Sequence, residues 1–199
     1  MGFPSVLTMA HRWVAERLPA GSAAIDATAG GGVDTLFLAR RTGPRGRVLA
    51  FDVQEAALER TRRRLEEARA AGERLAEVTL VHAGHERMEA FVPGDLHGRI
   101  RAVMFNLGYL PGGDSRVITR PETTLPALEA ALRLLMPGGV LTAVLYPGHP
   151  GGDEEARAVE RWMAELPDAA ARTVLYRFPQ KEKAPYLLAL EKQHGSGST

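Results

Sequence analysis

Ala24-Ile25-Asp26-Ala27-Thr28-Ala29-Gly30-Gly31-Gly32-Val33-Asp34-Thr35 is the stretch from which the fold can be read. A short apolar run ends in an acid, three consecutive glycines follow, and an amphipathic run begins behind them. That order reads as strand, tight loop and helix. Glycines let the backbone take positive φ and let a ligand come to contact distance, while a helix start presents unpaired N–H groups. A nucleotide-like guest suits such a loop. Further on, Arg47-Val48-Leu49-Ala50-Phe51-Asp52-Val53 is a second apolar run, and its acid stands 26 positions after Asp26. That is near the ~20-residue interval at which nucleotide-binding α/β folds place a carboxylate on a ribose. The glycines do not form G-x-G-x-x-G, because Thr35 occupies the third glycine position, and this weakens a dinucleotide reading.

Composition narrows the class. A chain of 199 residues fits one domain, expected over residues 1–193, with 194–199 as a flexible tail. Its hydrophobic content of 45% and charged content of 25% are ordinary for a globular protein. No apolar run approaches the ~20 residues of a membrane helix, and no signal peptide is visible, so a cytoplasmic location without membrane contact is expected. The formal net charge of +1 conceals clusters at Arg40, Arg41, Arg45, Arg47 and at Arg60, Arg62, Arg63, Arg64. Glu55, Glu59, Glu66 and Glu67 interleave with the second cluster at helix-pairing distances. It reads first as a solvated helix face and leaves an RNA footprint open. Cysteine is absent. That removes disulfides, thiolate metal sites and iron–sulfur clusters, and also the thiol adduct that methylation of a pyrimidine ring carbon usually needs. Nitrogen and oxygen acceptors remain.

Along the chain, residues 5–18 read as an N-terminal helix with His11 on it, a histidine that packs or, if the helix runs beside a cofactor, binds it. The helix behind the glycines covers Thr35–Arg41, and Gln54–Ala71 is a long Arg/Glu-rich helix. Val78–His82 is the third strand, followed by Ala83-Gly84-His85-Glu86, where His85 is a cofactor-pocket candidate. Arg101–Phe105 is an uninterrupted apolar run expected as the central parallel strand. It delivers Asn106-Leu107-Gly108-Tyr109-Leu110-Pro111-Gly112-Gly113-Asp114 to the sheet edge that faces the glycine loop. Thr123–Met136 is an amphipathic helix closed by Pro137-Gly138-Gly139, Val140–Leu145 the fifth strand, and Tyr146–Gly152 another strand-end loop. Asp153–Leu166 is a helix. Arg172–Phe178 and Tyr186–Glu191 form an antiparallel pair joined through residues 179–183.

An acid closing each of the first two strands, with the glycine loop between them, resembles the S-adenosylmethionine loop of Rossmann-like methyltransferases. Five alternating units closed by an antiparallel pair resemble their seven-stranded sheet, order 3-2-1-4-5-7-6, with helices on both faces. Methyl transfer from a sulfonium is an in-line displacement, in which the protein must hold a lone pair behind the methyl group, and no metal is required. Asn106 offers an amide oxygen that accepts a hydrogen bond from an amine, and Tyr109 a ring that stacks on a base. Asn106-Leu107-Gly108-Tyr109 resembles the Asn-Pro-Pro-Tyr motif of nitrogen-directed nucleic-acid methyltransferases, with Leu107 and Gly108 in place of the prolines. An alkylamine is mostly protonated at neutral pH. Asp114 and His149, both on loops at this edge, are the candidates to take its proton.

Taken together, Asp26-Ala27-Thr28-x-Gly30-x-Gly32-x-Asp34-Thr35, Phe51-Asp52-Val53-Gln54, the string from Phe105 to Asp114 and Tyr146-x-Gly148-His149-Pro150-x-Gly152 resemble a bacterial family labelled putative rRNA methylase, and assigned to MnmM-type tRNA methyltransferases. The resemblance spans residues 5–192. It implies S-adenosyl-L-methionine as cofactor, held by Asp26, Ala27, Thr28, Gly30, Gly32, Asp34, Thr35, Asp52, Val53, Gln54, His85 and Asn106. It implies tRNA, through its anticodon stem-loop, as partner, and methylation of the 5-aminomethyl nitrogen of wobble (2-thio)uridine as the reaction. Asn106, Tyr109, Asp114 and His149 are the catalytic candidates. Where the family has Asn-Gly-His before Asp-Thr, this chain has Gly31-Gly32-Val33, so only main-chain contacts persist there. An rRNA or small-amine methyltransferase and a nucleotide-binding module without catalysis are the competing readings, and a homodimer is left open.

Overall fold

The computed structural model describes residues 2–108, 112 and 118–194. The elements are α1 (Val6–Arg17), β1 (Ala23–Asp26), α2 (Val33–Thr42), β2 (Arg47–Asp52), α3 (Glu55–Ala70), β3 (Glu77–His82), α4 (Met88–Phe91), β4 (Ile100–Leu107), α5 (Pro121–Leu134), β5 (Leu135–Leu145), α6 (Gly152–Glu165), β6 (Ala171–Tyr176) and β7 (Tyr186–Lys192). The strands form a seven-stranded sheet in the order β3-β2-β1-β4-β5-β7-β6. Strands β1 to β5 pair in parallel, and β7 runs antiparallel to both β5 and β6. This is the order expected from the sequence. Among the described residues no helix is long and apolar enough to cross a membrane.

A strand's side chains alternate between faces, and this divides the core in two. Ile25, Leu49, Phe51, Val103, Phe105, Leu107, Leu141 and Leu145 point to the face covered by α5 and α6. Ala24, Val48, Ala102, Met104, Val140 and Val144 point to the face covered by α1, α2 and α3. The same alternation carries Asp26, Asp52 and Asn106, each at or near the carboxyl end of its strand, to the α1–α2–α3 face. All three polar groups that the sequence singled out therefore emerge on one side of one edge.

The larger departures from the expected boundaries lie at the end of β4 and around α5. β4 runs on through Asn106 and Leu107, so the asparagine is a strand residue held by its ladder, not the first residue of a loop. Pro137-Gly138-Gly139 does not separate α5 from β5. The strand already starts at Leu135, and Ile100 pairs with Leu135 while Ala102 pairs with Val140, so residues 136–139 are absorbed as a bulge. A side chain on Gly139 would put its Cβ 2.8 Å from the Met136 carbonyl oxygen, which is why a glycine completes that bulge. α5 correspondingly begins earlier, at Pro121, where a missing N–H costs nothing.

Candidate active site at the carboxyl edge of the sheet

The first loop is tied to its neighbours on both sides. Ala27 N–H donates to the Met104 carbonyl (2.8 Å) and Ala29 N–H to the Phe51 carbonyl (2.8 Å), which extends the pairing of β1 beyond its end. Asp26 sits beneath the loop, fully buried. One carboxylate oxygen accepts from Thr28 N–H (3.1 Å) and the other from Thr35 Oγ1 (2.6 Å). Asp26, Ala27 and Thr35 are all buried, so they shape the loop from beneath instead of lining its surface. Gly32 caps α2 with φ of 76°, and a Cβ there would lie 2.8 Å from the Thr61 Cα on α3. Only glycine lets the loop lie this close to that helix. α3 also clasps the loop from outside, since Arg64 Nε donates to the Gly31 carbonyl (2.6 Å).

Asp52 completes the loop from the next strand. Its oxygens accept from Gly30 N–H (3.0 Å) and Gln54 N–H (2.8 Å). A carboxylate has about four acceptor positions, so two neighbouring hydroxyls of a ribose can still be received. Val53 beside it is exposed, with its carbonyl 2.9 Å from His82 Nε2. Thr28, Gly30, Asp52, Val53, Gln54 and Asn106 are the predicted cofactor residues with accessible surface. His85, the cofactor-pocket candidate, lies just past β3. Its ring is buried against Phe105 (centroids 5.6 Å apart) and bonded to the Ala27 backbone, and burial pushes its pKa down, so it supports the loop as a neutral ring.

The central feature is Asn106. Its backbone N–H donates to Thr28 Oγ1 (2.7 Å), and its side-chain Nδ2 donates to Asp34 Oδ2. Its Oδ1 is buried and has no hydrogen-bond partner among the described residues. Buried acceptors are nearly always satisfied, and leaving one unmade costs about 1–3 kcal/mol, so this oxygen is set for a donor from outside the chain. Asp34, at the start of α2, is buried. Its second oxygen lies 2.5 Å from His11 Nε2 on α1. Tyr146, just past β5, lies near enough that the Asp34 charge, after burial, pushes its phenol pKa up.

Three carboxylates therefore surround the loop. Burial first, and the Asp34 charge second, push the Asp26 carboxyl up to about 7, with Asp52 adding in the same sense. A cationic guest relieves this crowding of negative charge. On the other side, His149 Nδ1 donates to the Pro150 carbonyl (2.9 Å). Nε2 lies 3.6 Å from where a Cβ on Gly108 would be. Tyr109 and Asp114 lie outside the described residues.

Gly108 and Thr119 are joined in a neck past the end of β4. Thr119 N–H donates to the Gly108 carbonyl (2.9 Å), and Thr119 Oγ1 donates to Glu155 Oε2 on α6 (2.7 Å). The other Glu155 oxygen accepts from Thr124 Oγ1 on α5 (2.6 Å). Glu155 is buried, and burial pushes its pKa up. Glu155 and Thr124 lie inside amphipathic helices and Thr119 just before one, and polar residues so placed carry no local sign in the sequence that they meet. No group of three or more His, Cys, Asp or Glu among the described residues is arranged around a metal ion. A surface hollow of about 280 Å³ lined by Ser22, Arg47, Arg99 and Arg101 lies at the opposite, amino-terminal edge of the strands, away from this chemistry.

Residues 48–192 match the family described as "Putative rRNA methylase". The chain belongs to that family. Among relatives of the family, it is 40% identical over 178 residues to the "tRNA (mnm(5)s(2)U34)-methyltransferase, chloroplastic" of Arabidopsis thaliana, covering 87% of this chain and 64% of that one. The chain thus spans a little under two thirds of the length of this plant relative. A structure of a putative rRNA-methylase from Clostridium thermocellum superposes with a TM-score of 0.88 at 35% identity, over 96% of this chain and 100% of that one. A putative methyltransferase from Streptococcus mutans, in complex with SAH, superposes with a TM-score of 0.81 at 36% identity, over 96% of this chain and 99% of that one. The family fold is the Rossmann-like seven-stranded sheet described above.

Proposed function

We propose that this chain is an S-adenosylmethionine-dependent tRNA methyltransferase of the cytoplasm, which methylates the 5-aminomethyl nitrogen of the wobble (2-thio)uridine. The observation that carries the reading is the Asn106 side chain. It stands near the carboxyl end of the central strand, with a buried Oδ1 that has no partner among the described residues and an Nδ2 already committed to Asp34. An amine N–H donated to that oxygen turns the nitrogen lone pair in one direction, which is what an in-line displacement needs. The name of the Arabidopsis relative and the SAH in the Streptococcus mutans structure support substrate and cofactor class.

The residues fit the cofactor on two counts. The carboxylate crowding at Asp26, Asp34 and Asp52 answers a ligand with a positive sulfonium and ammonium, and Asp52 retains acceptor positions for ribose hydroxyls. Thr28, Gly30, Val53 and Gln54 present the accessible rim. When bound, S-adenosylmethionine supplies a methyl group on a sulfonium centre. The chain's own residues do the remainder. Asn106 Oδ1 orients the amine, His149 Nε2 accepts the proton that an alkylammonium must lose, and the anticodon stem-loop brings the wobble base to this edge.

The test is incubation of the protein with S-adenosylmethionine and tRNA carrying 5-aminomethyl-2-thiouridine, followed by nucleoside mass spectrometry. Conversion to the methylaminomethyl nucleoside is expected. Unchanged tRNA, or methyl groups appearing on rRNA or on free amines instead, would sink the reading.

A further inference from the structure

We infer that His11 is a positioning residue for methyl transfer, acting through Asp34 to fix the amide of Asn106; this rests on the function proposed above. Asp34 has both oxygens engaged, Oδ1 at 2.5 Å from His11 Nε2 and Oδ2 with Asn106 Nδ2. An ionised carboxylate only accepts hydrogen bonds. The amide must therefore present its NH2 to Asp34, and its oxygen is forced to the far side, where it lies buried without a partner among the described residues. A flip of the amide would set oxygen against oxygen. The orientation of the one atom that receives the amine is thus decided by Asp34, and Asp34 in turn needs a donor on its other oxygen to hold that rotamer while buried.

His11 supplies that donor from a different element. Its ring stacks on Phe37 of α2, with centroids 4.0 Å apart and planes 1° from parallel. Stacking fixes the ring plane, so Nε2 is aimed before any ligand arrives. The helix α1 is itself seated by Val6, Ala10 and Val14 on the sheet face that carries Asn106. The route from His11 to the amide thus passes through rigid elements, and side-chain direction is set at each step. A simpler role, in which the His11–Asp34 pair only docks α1 against α2, predicts a loss of stability with the Asn106 amide undisturbed. Positioning predicts a loss in turnover and a disturbed amide, with cofactor affinity kept.

The experiment compares wild type, His11→Ala and His11→Gln, the last retaining an N–H donor. In cofactor-free protein, the side-chain amide resonances of Asn106 are followed by nitrogen–proton NMR. They should move and broaden in His11→Ala and return toward wild type in His11→Gln. With S-adenosylmethionine and tRNA carrying 5-aminomethyl-2-thiouridine, kcat should fall about 10- to 100-fold in His11→Ala, since small misplacements of a reacting group carry penalties of that size. The KM for tRNA and the calorimetric Kd for the cofactor should stay near wild type, and His11→Gln should recover most of kcat. Unmoved Asn106 resonances, unchanged kcat, or a kcat loss matched by an equal loss in cofactor affinity would overturn the inference. If wild type leaves that tRNA unmethylated, the functional reading falls, and the amide resonances alone then decide whether His11 sets the orientation of Asn106.

Discussion

Replacing Asp26 with Asn probes the negative pole beneath the glycine loop. Burial and the neighbouring Asp34 charge push the Asp26 carboxyl from the ordinary 3.8 up to about 7. In the unfolded chain both causes vanish, so the folded state holds this proton more tightly. The stabilising contribution is complete below about pH 4 and is lost as pH rises through about 7. At about 1.4 kcal/mol for each pH unit, the full span is on the order of 4 kcal/mol, with roughly 3 kcal/mol of it falling between pH 5 and 8. Asn cannot ionise, yet it can keep the local bonds. Its oxygen accepts from Thr28 N–H, and its NH2 faces Thr35 Oγ1, which accepts instead of donating. Urea unfolding of the cofactor-free wild type and Asp26→Asn, at several pH values across that range, measures the difference. The stability of wild type relative to the variant should decline steadily from pH 5 and level off above about pH 8. Parallel pH profiles would refute the account of this carboxylate.

Other perturbations separate the parts of the site. Asp52→Ala removes the acceptor for Gly30 N–H and Gln54 N–H as well as any ribose contact, and should raise the calorimetric Kd for S-adenosylmethionine by about 10- to 100-fold, as charge-assisted hydrogen bonds contribute. Asn106→Ala should leave that Kd within a few-fold while kcat falls by about 100-fold or more, the usual cost of removing an oriented polar group at a reacting centre. The opposite ranking of these two variants would mean the poles are misassigned. Gly32→Ala combines a left-handed backbone with a Cβ 2.8 Å from the Thr61 Cα, and should lower unfolding free energy by about 1–3 kcal/mol in thermal or urea denaturation. A wild-type melting temperature in that variant would show that the loop does not lie as close to α3 as described.

Much of this site was legible because its residues stand where local pattern and strand topology coincide. The run into Asp26, the glycines behind it and the acid at Asp52 mark two neighbouring strand ends and the loop between them. Asn106 stands out because an amide directly follows the apolar run from Ala102 to Phe105. What the sequence does not show is which side chains from distant elements meet. His11 lies 23 residues before Asp34, in a helix whose register against the sheet depends on packing, so its contact with that carboxylate has no local sign. Glu155 looks like any acid in the first turn of a helix until Thr119 and Thr124 converge on it. The bulge at 136–139 was missed for the opposite reason. Pro137-Gly138-Gly139 carries a strong local stop signal, and pairing of Leu135 with Ile100 overrides it. The burial of His85 against Phe105 likewise has no sign in the spacing, because the two rings come from different strands.

The neck at Gly108 and Thr119 couples the two sides of the sheet. Thr119 N–H closes a backbone bond to the Gly108 carbonyl, and Glu155 reaches from α6 to Thr119 and to Thr124 on α5. The central strand is thereby braced two residues beyond Asn106 by elements that pack on the opposite face. Cutting that brace with Glu155→Ala would loosen the strand end from behind, without touching any residue on the side where Asp26, Asp52 and Asn106 emerge.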